Sequence, residues 1–150
     1  MDKNIFYKST ILLTGADGGI GRSFIDELLK INIKKIYITG LNINALNELS
    51  KIDKRLVPIK LDITSIEDIK NIKEKCGDIN CLINNAGIEL KTDFLSFEFC
   101  QKFDKEIAVN FKGTVNLTNN LIGVLNKNRN SFIVNILSIA SLTLIDTISS

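Results

Sequence analysis

The residues best placed to do chemistry begin with Thr14-Gly15-Ala16-Asp17-Gly18-Gly19-Ile20-Gly21, which follow an apolar run and open an amphipathic one. Glycines at such a junction permit a tight turn and let the backbone approach a pyrophosphate, which the unpaired N–H groups of the next helix stabilise. A tight connection without a ligand is the competing reading of the loop taken by itself. No Gly-Lys-Ser/Thr tripeptide follows, so the phosphate loop of ATP- and GTP-binding proteins is excluded. Further along the chain, Asp62-Ile63, Asn84-Asn85-Ala86-Gly87, Asn110 and Ser138 place polar or small residues at the ends of apolar runs or within a helical stretch. Composition removes other chemistries. There is no His in the 150 residues, which eliminates Ser-His-Asp and Cys-His nucleophiles and imidazole pH switches. Cys76, Cys81 and Cys100 show no C-x-x-C spacing. They are expected to be packing residues in a reduced, cytoplasmic interior, with no disulfide framework and no metal site.

These residues need elements to hold them. Short apolar runs at 10–13, 35–39, 56–61, 80–84 and 132–137 read as buried parallel strands, because both faces of such strands are covered. Between them, Ala45, Leu46, Leu49 and Ile52 fall at helical spacing, as do Ile66, Ile69 and Ile72. Ser65-Ile66-Glu67-Asp68 reads as a cap for the latter helix, and Gly77 stands where it would stop. The longest helix is expected over 105–126, with Ile107, Phe111, Val115, Thr118, Ile122 and Leu125 as its stripe. Strand–helix alternation of this kind predicts a doubly wound, three-layer α/β domain with right-handed crossovers. Its ligand site lies beyond the carboxyl ends of the strands, where the residues named above fall.

The chain is 45% hydrophobic and 24% charged with a net charge of +2, which carries no electrostatic footprint for nucleic acid. Its 25 Ile, 17 Asn and 16 Lys against 3 Arg look like a codon-composition bias, so an isolated Asn carries little weight. The uncharged stretch 131–145 is interrupted by Asn135, Ser138, Ser141 and Thr143. It falls short of the roughly 20 apolar residues of a membrane span, and no membrane partner or signal-peptide core is expected.

The wording of the loop, T-G-x-x-x-G-x-G, resembles the short-chain dehydrogenase/reductase family. Gly15, Gly18 and Gly21 also fit the G-x-x-G-x-x-G of its extended, epimerase-like branch, and the loop does not decide between them. Asn84-Asn85-Ala86-Gly87 resembles the N-N-A-G of the compact branch. Asp62-Ile63 falls where the family's Asp meets the adenine, although Asp62 could instead cap the helix near Ser65. Ala108-Val109-Asn110-Phe111-Lys112-Gly113 resembles the segment carrying the family's catalytic Asn, and Ile133-Val134-Asn135-Ile136-Leu137-Ser138 the segment ending in its catalytic Ser. The resemblance implies a Rossmann-like sheet in the order 3-2-1-4-5. Cofactor contacts are then expected at Gly15, Asp17, Gly19, Ile20 and Gly21, at Asn42, Asp62 and Ile63, and at Asn84, Asn85, Ala86 and Gly87.

The implied activity is hydride transfer between NAD(P)(H) and a small-molecule alcohol or carbonyl. Ser138 would hydrogen-bond the substrate oxygen. Asn110, expected on the inward side of its helix where it needs polar partners, would order a water in a proton relay. The family's base is a Tyr in Y-x-x-x-K, whose pKa the Lys lowers. Tyr7 and Tyr37 are the only tyrosines and neither is followed by Lys at that spacing. Residues 1–150 are therefore expected to be the N-terminal part of one longer, here truncated, domain and to be inactive alone. A non-catalytic nucleotide-binding or regulatory module with the same fold is the alternative.

Cofactor choice is read at the end of the second strand. NAD-selecting sheets place an acidic residue about 20 residues after the glycine loop to grip the ribose 2′-hydroxyl. Here Ile38-Thr39-Gly40-Leu41-Asn42 is uncharged, and Asn42 could donate to a 2′-phosphate. Gly18 gives no help and Asp17 is mildly adverse, so a slight lean to NADP(H) is expected. The segment 88–99, with Phe94, Leu95, Phe97 and Phe99, reads either as an apolar substrate wall or as core packing. The 105–126 helix is the expected surface of any homo-oligomer.

Overall fold

Five apolar runs form a single five-stranded parallel sheet: β1 (Thr10–Leu13), β2 (Lys35–Gly40), β3 (Leu56–Lys60), β4 (Cys81–Asn84) and β5 (Phe132–Asn135), in the order β3-β2-β1-β4-β5. The computed structural model describes residues 4–91, 95–128 and 130–138. Register is set by the inner strands, with Ile11 of β1 opposite Ile36 of β2 on one side and Cys81 of β4 on the other. The order reverses at β1, which opens a crevice between the carboxyl ends of β1 and β4.

Side chains alternate across the sheet and fill two separate half-cores. Ile11, Leu13, Ile36, Ile38 and Ile83 point to one face, where α1 (Gly19–Leu29) and α2 (Ile43–Ser50) cover them with Ile25, Leu28, Leu46 and Leu49. Leu12, Tyr37 and Leu82 point to the other, beneath α3 (Ile66–Lys75) and α5 (Thr114–Leu125). The sheet is thus the middle of three layers, and the Rossmann-like architecture follows the sequence expectation. Cys76 and Cys81 are packed inside it, and burial pushes both thiols up to about 12, so they are inert at neutral pH.

The helices depart from expectation in three places. Ile52 lies beyond the end of α2 and Ile66 at the first position of α3, and both are exposed. The cap of α3 forms as read, with Ser65 Oγ accepting the Asp68 N–H, but the Asp68 carboxylate accepts the Asp62 N–H instead of closing the box on Ser65. The 105–126 helix is in fact a composite: α4 (Phe99–Glu106), a π-helical segment (Ile107–Gly113) and α5. Its buried face is Leu117, Leu121, Val124 and Leu125, while Phe111, Val115 and Ile122 are exposed. Two apolar faces compete within α5, and the sheet takes the leucine face. The wider π turn also breaks the phase of a stripe drawn straight through it. No helix among the described residues is long and apolar enough to cross a membrane.

Candidate nucleotide-binding site

The glycine loop is held by the strands on either side of β1. Thr14 Oγ1 donates to the Ile83 carbonyl (3.3 Å) and accepts the N–H groups of Asn85 and Ala86, each at 2.9 Å. The Asn85 amide donates back to the carbonyls of Thr14 (2.9 Å) and Gly15 (3.2 Å). Gly15 has φ +62°, and a Cβ there would lie 2.9 Å from the Ala86 Cα, so neither its conformation nor its neighbour admits a side chain. The hydroxyl of Thr14 is a part of the site that its motif position alone did not single out.

The glycines differ in what they make room for. A Cβ on Gly19 would meet nothing within 4 Å, so it would project into open cleft. A Cβ on Gly21 would fall 2.2 Å from the Gly15 carbonyl oxygen and 2.7 Å from the Ala16 Cα. Gly19 therefore stands beside open space at the start of α1, and Gly21 lets the loop pack on its own helix. The helix entered here, α1, has no side-chain cap at Gly18 and no acidic residue in its first turn. No side-chain cap or first-turn carboxylate therefore takes up its first amides, which suits a phosphate group.

A cleft of about 570 Å³ runs along the carboxyl edge of the sheet, over Gly19, Ile20, Asp62, Ile63, Ala86 and Gly87. Gly15, Asp17, Gly21 and Asn85 also line it, as does Lys105, which no sequence signal marked. Asp62 is not the helix cap: its Oδ1 accepts from the Thr64 N–H (2.8 Å) and hydroxyl (2.7 Å), and Ser65 does the capping. Two expected cofactor residues lie outside this cleft. Asn84 is buried as a brace, its Nδ2 donating to Asn135 Oδ1 (2.8 Å) and Thr118 Oγ1 (3.1 Å). Asn42 caps α2, accepting the Ala45 N–H at 3.1 Å. Its own N–H donates to Asp17 Oδ2 at 3.0 Å.

Asn110 and Ser138 line a second cavity of about 960 Å³, next to the cleft, with Ile20, Asn85, Ala86, Gly87 and Ile88 shared between the two. Asn110 is exposed and not turned inward as expected. Its polar partners are backbone groups, since Oδ1 accepts the Ile88 N–H and Nδ2 donates to the Ile88 carbonyl, both at 2.8 Å. The π segment turns residue 110 toward the chain leaving β4, and the amide clamps that chain in place. Of the expected apolar wall, Ile88 and Leu90 line the cleft, whereas Leu95 and Phe97 stand exposed and Phe99 stacks on Phe103 at 5.7 Å. Phe94 lies outside the described residues.

Tyr37 is committed elsewhere. Its hydroxyl donates to Asp78 Oδ1 (2.8 Å) and accepts from Lys35 (2.9 Å), on the far side of the sheet from the glycine loop. Burial raises the phenol pKa, the reverse of what a base requires.

A family model described as short chain dehydrogenase matches residues 9–149. The chain is 30% identical over 140 residues to an NADP-dependent 3-hydroxy acid dehydrogenase of Schizosaccharomyces pombe, covering 87% of this chain and 54% of that protein. It is 31% identical over 135 residues to a 3-oxoacyl-(acyl-carrier-protein) reductase of Rickettsia bellii, covering 89% and 55%. Among solved structures, a short chain dehydrogenase from Burkholderia cenocepacia in complex with NADP superposes with a TM-score of 0.85 at 28% identity, over 96% of this chain and 59% of that one. The chain spans about half the length of the curated relatives it matches.

Proposed function

The chain belongs to the short-chain dehydrogenase/reductase family, and on that premise we propose that it binds NAD(P)(H) in the cleft above β1 and serves the interconversion of a small-molecule alcohol and carbonyl. The observation that carries the reading is the open space over Gly19 beside the uncapped first turn of α1, room for a pyrophosphate that a side chain at this position would take up. Gly15, Gly19, Ile20 and Gly21 hold the phosphates, Asp62 and Ile63 flank the adenine side, and Asn85, Ala86 and Gly87 close the far wall. The nicotinamide, when bound, accepts or returns the hydride. Among this chain's own groups, Ser138 holds the substrate oxygen. Asn110 keeps the Ile88 backbone in place and orders a water beside it. The NADP-bound neighbour and the NADP-dependent relative support a slight lean toward NADP(H).

Residues 1–150 are part of a single domain and bind the dinucleotide without turning substrate over. They contain no Tyr-x-x-x-Lys, and Tyr37 is tied to Asp78 away from the cleft. The exposed face of α5 with the adjoining π segment is the surface of self-association, and free thiols at Cys76, Cys81 and Cys100 suit a reduced, cytoplasmic setting. Titration of the purified protein with NADH and NADPH, followed by calorimetry or nicotinamide fluorescence, is expected to saturate at one site per chain. Absence of binding to both ends the cofactor reading, and turnover of any carbonyl by a verified 150-residue preparation ends the claim of inactivity.

A further inference from the structure

We propose that Asp17, a residue of the glycine loop, takes the place of the acidic residue missing from the end of β2 and sets how the cleft discriminates between NADH and NADPH. The assignment rests on the dinucleotide reading above. In sheets of this kind the ribose 2′-position is read at the end of the second strand, where a carboxylate accepts the 2′-hydroxyl and repels a 2′-phosphate. Gly40-Leu41-Asn42 offers no such group. Yet the position is filled. A Cβ on Gly40 would lie 2.2 Å from Asp17 Oδ1, 2.6 Å from its Cγ and 2.8 Å from Oδ2, and these are the three nearest atoms. The Asp17 carboxylate thus occupies the volume into which a side chain at the end of β2 would project, and Gly40 is what leaves it room.

Three contacts fix it there. The Ala16 N–H donates to the Thr39 carbonyl at 2.9 Å, which pins the loop against β2. The Asn42 N–H donates to Asp17 Oδ2 at 3.0 Å, which holds the carboxylate itself. Arg22, the nearest guanidinium along the chain, donates to the Asp17 carbonyl at 3.3 Å and not to its carboxylate. Among the described residues no ion pair reaches that carboxylate, so it lines the cleft with its charge unneutralised. A neutral strand end admits a 2′-phosphate, and Asp17 opposes it. The two effects together hold the preference for either cofactor under about tenfold, or roughly 1.4 kcal/mol.

The test is the ratio of dissociation constants for NADH and NADPH, measured by calorimetry on the whole 150-residue protein. Asp17→Asn keeps the size of the side chain and an acceptor for the Asn42 N–H while removing the charge. It is expected to tighten NADPH at least tenfold relative to NADH. Gly40→Ala, whose methyl group displaces the carboxylate, is expected to shift the ratio in the same direction in the wild-type background and not in Asp17→Ser. Asp17→Ser supplies the same readout should Asp17→Asn fail to fold, as judged by circular dichroism. If the wild-type protein binds and the ratio stays within threefold in these variants, the assignment of Asp17 is overturned and the cofactor reading stands. A wild-type protein that binds neither dinucleotide overturns both.

Discussion

Gly19 and Gly21 are two positions apart and answer to different constraints. The Cβ of a Gly21→Ala variant collides with the Gly15 carbonyl and the Ala16 Cα, both backbone atoms that a rotamer change cannot move. The expected result is a loss of about 1–3 kcal/mol of folding free energy, as for other overpacked sites, read as a lower urea midpoint. Gly19→Ala meets nothing within 4 Å and sits at a helix start where Ala is the better helix former. Its urea midpoint is expected to hold or rise while dinucleotide affinity falls at least tenfold (about 1.4 kcal/mol). An unchanged affinity in Gly19→Ala would mean that the open space is not a phosphate cradle. The sequence makes both glycines legible as a motif but not their division of labour, because the atoms that Gly21 avoids come from the fold of the loop itself. Asp17 was similarly obscure: its type is plain in the sequence, but its meeting with Gly40 exists only once β1 and β2 are side by side. A second residue-scale expectation concerns Asp53. The Arg55 guanidinium, together with the Arg55 N–H, lowers its pKa to about 2 from 3.8. A depressed carboxylate stabilises the fold above its unfolded value and loses that contribution as pH falls through the folded one. Urea midpoints are therefore expected to drop between about pH 4 and pH 2 in the wild type. Asp53→Asn should flatten that segment of the profile, and parallel profiles would show that the pair is without consequence.

Among the elements, the strands were the easiest to read. Runs of consecutive β-branched and leucine residues have one reason to be apolar on both faces, and the observed bounds differ from the expected ones by a residue or two at the ends. The composite helix was not legible in the same way. Ile107-Ala108-Val109-Asn110-Phe111-Lys112-Gly113 has no composition that marks a π turn, and the turn is stabilised from outside. Gly113 lies against the loop after β3, where a Cβ would fall 2.8 Å from the Ile63 carbonyl oxygen and 2.9 Å from its Cγ1. Gly113→Ala is expected to cost about 1–3 kcal/mol by pushing α5 away from Ile63, measured by chemical denaturation. Asn110 ties the same segment to the chain beyond β4 through both the oxygen and the nitrogen of its side-chain amide. Asn110→Ala removes both bonds, so the Ile88 amide is expected to exchange hydrogen faster than its neighbours in β4, which stay protected. Uniform exchange across both regions would show that the clamp is not local.

At the scale of the whole molecule, one face of the α5 region is without cover among the described residues. Phe111, Val115 and Ile122 are 64%, 49% and 42% exposed, and all three line the cavity that also holds Asn110 and Ser138. Fully burying a side chain of this kind contributes about 1.5–3 kcal/mol, and half-exposed ones return about half of that. Three residues from each of two copies, related by a two-fold axis that sets the patch against itself, would supply on the order of 6 kcal/mol. Association costs an estimated 4–15 kcal/mol in lost freedom. The two figures are of similar size, so the dimer expected from this face is weak and concentration-dependent, not obligate. Sedimentation velocity across a wide range of protein concentrations should then show a monomer passing to a dimer. Val115→Glu places a charge in the middle of the patch in both copies, where burial without a partner is costly, and is expected to hold the protein monomeric throughout. The substitution lies outside both half-cores, because Leu117, Leu121, Val124 and Leu125 make the inward face. Its thermal midpoint should therefore match that of the wild type. A wild-type protein that is monomeric at every concentration, or a Val115→Glu variant that dimerises as the wild type does, would remove this face as the surface of association.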